Sequence, residues 1–189
     1  DPYDNEYKSR ATVVWLDKQF TVKKRYLSAN GKLEGLGYDM ILNDNESIVA
    51  TNCIGRHFDV GFGHGILIPG WRPSIYAVDS SGQFSWQTEM GYAHFGENLC
   101  IFNALIQSNA KDGYIAVGSQ TNFDVEEYYS ADTLKGENFR FEALIAKVSN
   151  TGDSLWSRHY YTSDFLFSNA ELYDIIPHPE GGYILTGNS

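Results

Sequence analysis

Two stretches of this chain repeat one another, and that repeat limits the available folds more than any single motif does. Ser74 to Trp86 (SIYAVDSSGQFSW) aligns with Leu144 to Trp156 (LIAKVSNTGDSLW), so that Val78 falls on Val148, Gly82 on Gly152 and Trp86 on Trp156. Asp112 to Gln120 (DGYIAVGSQ) aligns with Gly181 to Ser189 (GGYILTGNS), placing Tyr114 on Tyr183 and Gly118 on Gly187. The two offsets agree to within one residue. Agreement at two separate places means that a whole supersecondary unit recurs.

The unit reads as paired hairpins. A β-branched and aliphatic run such as Ile75 to Val78 favours the pleated backbone. It meets a Ser-Ser-Gly or Asn-Thr-Gly turn, where glycine supplies a positive φ without a Cβ clash. A second strand carries the tryptophan. A further run, Ala104 to Ile106 or Asp174 to Ile176, leads through Lys-Asp-Gly or Glu-Gly-Gly into Tyr-Ile-Ala-Val-Gly or Tyr-Ile-Leu-Thr-Gly. The expectation is all-β: an antiparallel four-stranded meander over 74–120 and another over 143–189, each the form of one β-propeller blade. So thin a sheet cannot bury both faces alone and needs copies stacked beside it. Residues 11–55 read as a degenerate third copy. In it Asp39 to Ile41, the Asn43–Glu46 turn and Ser47 to Thr51 form the second hairpin, with Ile48 aligned on Ile115. Leu16 can sit on Val78, but no turn glycine follows and Lys24 stands where Trp86 would. Residues 1–10 read as a polar linker, 56–73 and 121–142 as loops.

Composition sets further bounds. The chain has 189 residues, enough for one domain with a full core. Aromatic residues make up 15%, which suits sheet stacking. A net charge of −10 leaves no basic patch to neutralise phosphates, so nucleic acid is not an expected partner. No apolar run reaches the length of a membrane span. No signal peptide is seen, and a start at Asp-Pro-Tyr reads as processed or excised. Cys53 and Cys100 are the only cysteines; a disulfide between neighbouring units and two free core thiols both stay open.

In an up-and-down meander, successive connections alternate between the two ends of the sheet. The short ones, Asp79–Gln83, Asn109–Gly113, Ser149–Asp153 and His178–Gly182, fall on one rim. The long ones, near Arg56–Pro73, Gln87–Leu99, Thr121–Glu142 and Ser157–Glu171, fall on the other. Long connections in a compact domain tend to carry function, so a binding site is expected on that rim. The candidates are His57, His64, Trp71, Tyr92, His94, Tyr128, Tyr129, His159 and Tyr160. Aromatics beside carboxylates suit stacking on sugar rings or anchoring a peptide. The bland alternative is that these side chains pin long loops to the sheet edges.

Chemical motifs add little. Gly61-Phe62-Gly63-His64-Gly65 lacks the strand–helix context of a phosphate loop, because Pro69 and Gly70 forbid a helix after it. His57 and Asp59 with His64 offer two imidazoles and a carboxylate on a glycine-rich loop. Asp124, Glu126 and Glu127, with Asp132, offer hard oxygens from which calcium could be held, without EF-hand spacing. A solvated loop is the simpler reading of both. The recurrent Trp86 and Trp156 read as packing residues between sheets rather than as a ligand platform.

One family resemblance follows from the repeat. Ala146-Lys147-Val148, Asn150-Thr151-Gly152-Asp153, Trp156, Asp174-Ile175-Ile176-Pro177 and Gly181 to Gly187 resemble the blade repeat of secreted β-propeller proteins common in Bacteroidetes. Ile75 to Trp86 is also similar to the repeat of pyrroloquinoline-quinone-type propellers. The first resemblance implies an extracytoplasmic, secreted or cell-surface protein, often exported by type IX secretion. The second implies that the tryptophan docks neighbouring blades, and it does not imply the quinone. Rings of this kind close with four to eight blades, so further blades from the same or another chain are expected. Three functions stay open: a non-catalytic binding or scaffold module for a protein or glycan, a carbohydrate-active enzyme with its site on the same rim, and a subunit of a surface or secretion complex.

Overall fold

The computed structural model describes residues 12–27, 35–45, 47–59, 67–90, 101–122, 140–160 and 170–188, with backbone alone at 27, 35–37, 52–59, 67–71, 121–122 and 140. Among these residues every regular element is a strand. In chain order they are β1 (Thr12–Leu16), β2 (Val22–Leu27), β3 (Gly35–Leu42), β4 (Ile48–Asp59), β5 (Leu67–Val78) and β6 (Phe84–Glu89). There follow β7 (Ile101–Gln107), β8 (Gly113–Asn122), β9 (Arg140–Ser149), β10 (Ser154–Tyr160), β11 (Glu171–Pro177) and β12 (Tyr183–Asn188). The all-β expectation holds. No described helix is long and apolar enough to cross a membrane.

The strands make a leading hairpin β1–β2, a first sheet β3-β4-β5-β6, a second sheet β7-β8-β9-β10 and a trailing hairpin β11–β12, all antiparallel. This grouping corrects the meanders expected over 74–120 and 143–189. The hairpins are those expected, but each four-stranded sheet begins half a unit earlier. The long connection between β4 and β5, not the one between β6 and β7, lies inside a sheet. The ladders show why. β4 and β5 pair without interruption from Ile48↔Val78 to Asp59↔Leu67, and β8 and β9 from Gly113↔Ser149 to Asn122↔Arg140. A repeat fixes the period of a chain; only edge pairing fixes where each sheet starts.

The same ladders correct two loop boundaries. Much of 56–73 is strand, and 121–142 is strand at both ends. Pro69 sits opposite His57 within this stretch. Proline is tolerated there because the flanking ladders end earlier, at Gly35↔Ile54 on one side and Ser74↔Glu89 on the other, so no third strand among the described residues needs its missing N–H.

The pairing registers carry the repeat into three dimensions. Leu16, Val78 and Val148 occupy one position, opposite Val22, Phe84 and Ser154. Lys24, Trp86 and Trp156 occupy another, each just past a bulge. The hairpins β3–β4 and β7–β8 of the two sheets and the trailing hairpin β11–β12 share a second bulge, at Gly37/Met40, Phe102/Ala104 and Leu172/Asp174. By this register Ile48 stands with Tyr114 and Tyr183, one residue from the alignment on Ile115.

Alternation divides each strand's side chains between two neighbours in the stack. Ile48, Ala50, Tyr76 and Val78 of the first sheet pack on Val13, Trp15 and Tyr26 of the leading hairpin. Val49, Ile75 and Ala77 on its other face pack on Phe102, Leu105, Tyr114, Leu144, Ala146 and Val148. The second sheet turns Ala104, Ile115 and Val117 toward Ile175 of the trailing hairpin. Tyr76 lies against Tyr26 with ring centroids 6.2 Å apart. Burial, helped by Tyr26, pushes its hydroxyl pKa up to about 12.

Candidate functional site

The rim of short turns is closed by its own hydrogen bonds. Asp17 Oδ1 accepts from Gln19 N and Thr21 N at 2.9 Å, and Asp79 Oδ1 from Gln83 N at 2.8 Å and Ser81 Oγ at 2.6 Å. Asn43 Oδ1 and Ser149 Oγ serve the same way in their turns. Such residues bend the chain because their short side chains replace a backbone partner. These bonds, the Thr21 amide first for Asp17 and the Ser81 hydroxyl first for Asp79, hold both carboxyls below the usual aspartate range. Asp112 is lowered chiefly by Lys147 and Asp153 chiefly by Thr151. Neighbouring turns are also tied to each other. Asn43 Nδ2 donates to the Tyr114 hydroxyl at 3.2 Å, Asn109 N donates to the Tyr183 hydroxyl at 3.0 Å, and Asn150 Nδ2 donates to Lys111 O at 3.0 Å.

The opposite rim is built differently. Past Ile54 and Ser74, β4 and β5 continue as a two-stranded ribbon with no flanking strand among the described residues. Its backbone carries His57 opposite Pro69 and Trp71 opposite Gly55. His159 and Tyr160 end β10 on the same rim, opposite Leu144 and Ala143. His64, Tyr92, His94, Tyr128, Tyr129, Asp124, Glu126, Glu127, Asp132 and Cys100 lie outside the described residues, and Cys53 is described by backbone alone. The expected rim is therefore represented by two described side chains, His159 and Tyr160, and by the backbone of His57 and Trp71.

At this rim the apolar face of the sheets gives way to charge. Glu142 shares a face with Leu144, Ala146 and Val148 and is only 7% exposed. Its Oε2 lies 3.7 Å from His159 Nδ1. Gln120, directly opposite Glu142 in the ladder, is 1% exposed. The first sheet carries an ion pair at the corresponding positions with the charges exchanged between strands: Arg72 Nη1 is 3.8 Å from Glu89 Oε2. On the other face of the second sheet, Glu171 accepts from Tyr173 OH at 2.8 Å, and Asn103 Nδ2 donates to Leu172 O at 2.8 Å. Sequence reasoning passed over Arg72, Glu89, Gln120 and Glu142. For Arg72, Gln120 and Glu142 the signal was the period-2 rule, a charged or amide side chain at the inward parity of a largely apolar strand. β6 is mostly polar and gave no such signal for Glu89.

A half-buried imidazole against a buried carboxylate can exchange a proton with a bound hydroxyl or hold a polar ligand. Among the described residues no group of His, Cys, Asp and Glu has the arrangement of a metal site. The fold and rim together define an all-β stack of repeated antiparallel meanders with one closed and one elaborated end. No protein-family model matches the chain, and no curated protein is significantly similar to it.

Proposed function

We propose that the stacked sheets are blades of a β-propeller and that the chain is part of an extracytoplasmic binding or scaffold module. In this reading the long-connection rim recognises a protein or glycan. The difference between the two rims carries it. One end is spent on turn-to-turn hydrogen bonds, while the other extends the β4–β5 ribbon past its neighbours and holds Tyr160 half exposed at 49%. Exposed aromatics on a rigid edge make contact area at low entropic cost. The test is binding to glycan and peptide arrays, followed by Trp71→Ala and Tyr160→Ala with Asn109→Ala on the opposite rim as control. The rim variants should weaken Kd at least about tenfold, the effect of losing an aromatic anchor. Equal affinity in all three variants sinks the reading.

The approach of His159 to Glu142 favours a second reading, a carbohydrate-active enzyme in which Glu142, with His159 against it, is one of the two catalytic carboxyl groups. Glycoside cleavage needs two carboxyl groups at a set separation. Hydrolysis of a chromogenic glycoside panel that Glu142→Gln abolishes would establish it. Membership of a surface or secretion complex, the third reading, would show as a partner retained on purification.

A further inference from the structure

The β4–β5 ribbon that runs past the first sheet has two edges, and they are not alike. In an antiparallel pair each residue turns its N–H and C=O together, alternately toward the partner strand and away from it. Pro73 fixes which residues turn away. Its carbonyl accepts from Met90 N at 2.9 Å, on the side of β6. The ladder runs without a shift from Ile48↔Val78 to Asp59↔Leu67, so the same parity holds to its end. Leu67, Pro69, Trp71 and Pro73 therefore present their backbone groups along the outer edge of β5. Their partners Asp59, His57, Gly55 and Cys53 present theirs along the outer edge of β4. Pro69 agrees with this parity, since a proline turned inward would leave the ladder without a donor.

Both prolines of β5 fall on its outer edge, and β4 has none from Ile48 to Asp59. A proline on an edge denies a donor to an incoming strand and keeps that edge closed. The ribbon is guarded on one side only. On the other, the β3 ladder ends at Gly35↔Ile54, and no described strand covers the outward groups of Gly55, His57 and Asp59. The described ribbon of the second sheet is shorter: β8 and β9 stop at Asn122↔Arg140, the register of Arg56↔Gly70. The open stretch of β4 is about 17 Å long at the rise of a strand, which is the span of an ordinary strand. We propose that the β4 edge from Gly55 to Asp59 binds an extended, basic peptide segment of a protein partner as an added strand. The inference rests on the reading of the long-connection rim as the binding end, and it names the class of partner.

Backbone chemistry and charge select this occupant. A row of alternating N–H and C=O groups is matched by another backbone, whose main-chain bonds give affinity while its alternate side chains give specificity. A glycan offers no such row. A second copy pairing through the same edge would bring together two chains of net charge −10, which repel, whereas a segment carrying Lys or Arg is drawn in.

The experiment selects peptides from a phage-displayed random library on the whole chain. Each selected peptide is remade in two versions, N-methylated at one alternating set of amides or at the other. A strand added to an edge uses only every second amide, so one version should lose at least about tenfold in Kd and the other should keep its affinity. In the complex, hydrogen exchange should slow at the amides of Gly55, His57 and Asp59 and stay unchanged at Leu67 and Trp71. Both measurements use the unaltered chain. His57→Pro should also weaken binding at least about tenfold, and Leu67→Pro on the guarded edge should not, with Tm checking that each variant folds. A library without binders, acidic selected peptides, equal loss from both methylated versions, or slowed exchange elsewhere but not at these amides would each overturn the proposal. So would slow exchange at Gly55, His57 and Asp59 before peptide is added, whether residues 28–34 or a dimer cover them. Peptides that withstand His57→Pro but are lost with Tyr160→Ala would sink this inference and leave the rim reading standing.

Discussion

Phe20 shows what one residue costs when a repeat drifts. The β1–β2 turn keeps the hydrogen bonds of its counterparts, Phe20 N to Asp17 O and Asp17 N to Thr21 O, both at 3.0 Å. It has lost the glycine, so Phe20 adopts φ 61° with its side chain 83% exposed. An L-residue in that region costs roughly 1–2 kcal/mol, and nothing apolar is gained in return. Phe20→Gly should therefore raise the stability to urea by about 1 kcal/mol, read as a shift in midpoint with an unchanged m-value. The turn aspartates set a pH dependence. Asp17, Asp79, Asp112 and Asp153 all lie below the ordinary 3.8 in the folded chain. A depressed folded pKa gives stability that is complete above the unfolded value and is lost as pH falls through the folded one. The Tm should accordingly start to fall below about pH 4, and Asp79→Asn should shallow that fall while keeping the turn's acceptor.

At the scale of the element, the bulges explain a glycine that recurs within the chain. Gly118 stands opposite Phe102 and Gly187 opposite Leu172, each beside a bulge on the partner strand. A Cβ on Gly118 would be 1.9 Å from Ile101 O, and one on Gly187 2.0 Å from Glu171 O. The contact is with backbone, which cannot rotate away. Gly118→Ala should destabilise by about 1–3 kcal/mol, as forced overpacking does, while the exposed Thr186→Ala should fall within about 0.5 kcal/mol; urea titration separates them. The bulge next to Gly37 turns Asp39 toward the second sheet, where its Oδ2 accepts from Leu105 N at 2.8 Å. A local irregularity thus becomes a tie between sheets.

Across the whole molecule, stability is a property of the stack. Phe102, Ile75 and Leu144 are fully buried only because a second sheet covers them. The two tryptophans measure this directly. Trp86→Ala should cost roughly 3 kcal/mol, the range for a large packed aromatic, and Trp156→Ala less than about 1 kcal/mol, because no described sheet covers its ring, which is 39% exposed. Equal losses would mean that Trp156 is covered as well as Trp86 is. Exposed Met40 makes the same point at the leading end: it is 57% exposed, whereas its register counterparts Leu105 and Ile175 are each 2% exposed.

The hairpins were legible in the sequence because their causes are local. Glycine at 82 and 152, β-branched runs and Asx turns act over a few residues, and repetition at a fixed offset made them unmistakable. Within residues 11–55 the placement of Leu16 on Val78 and Lys24 on Trp86 agrees with the observed registers, but the stretch is no single unit, since β1–β2 and β3–β4 lie in different sheets. The candidate site was legible only as a rim. Glu142 and Arg72 were hidden because their role depends on which face of a strand meets a neighbouring sheet. Tertiary structure alone decided how hairpins join into sheets, that 56–59 and 67–73 are strand, and that no described sheet covers Trp156. The reason is physical: turn geometry is set by the dihedrals of adjacent residues, whereas sheet boundaries and burial are set by contacts between segments far apart in the chain.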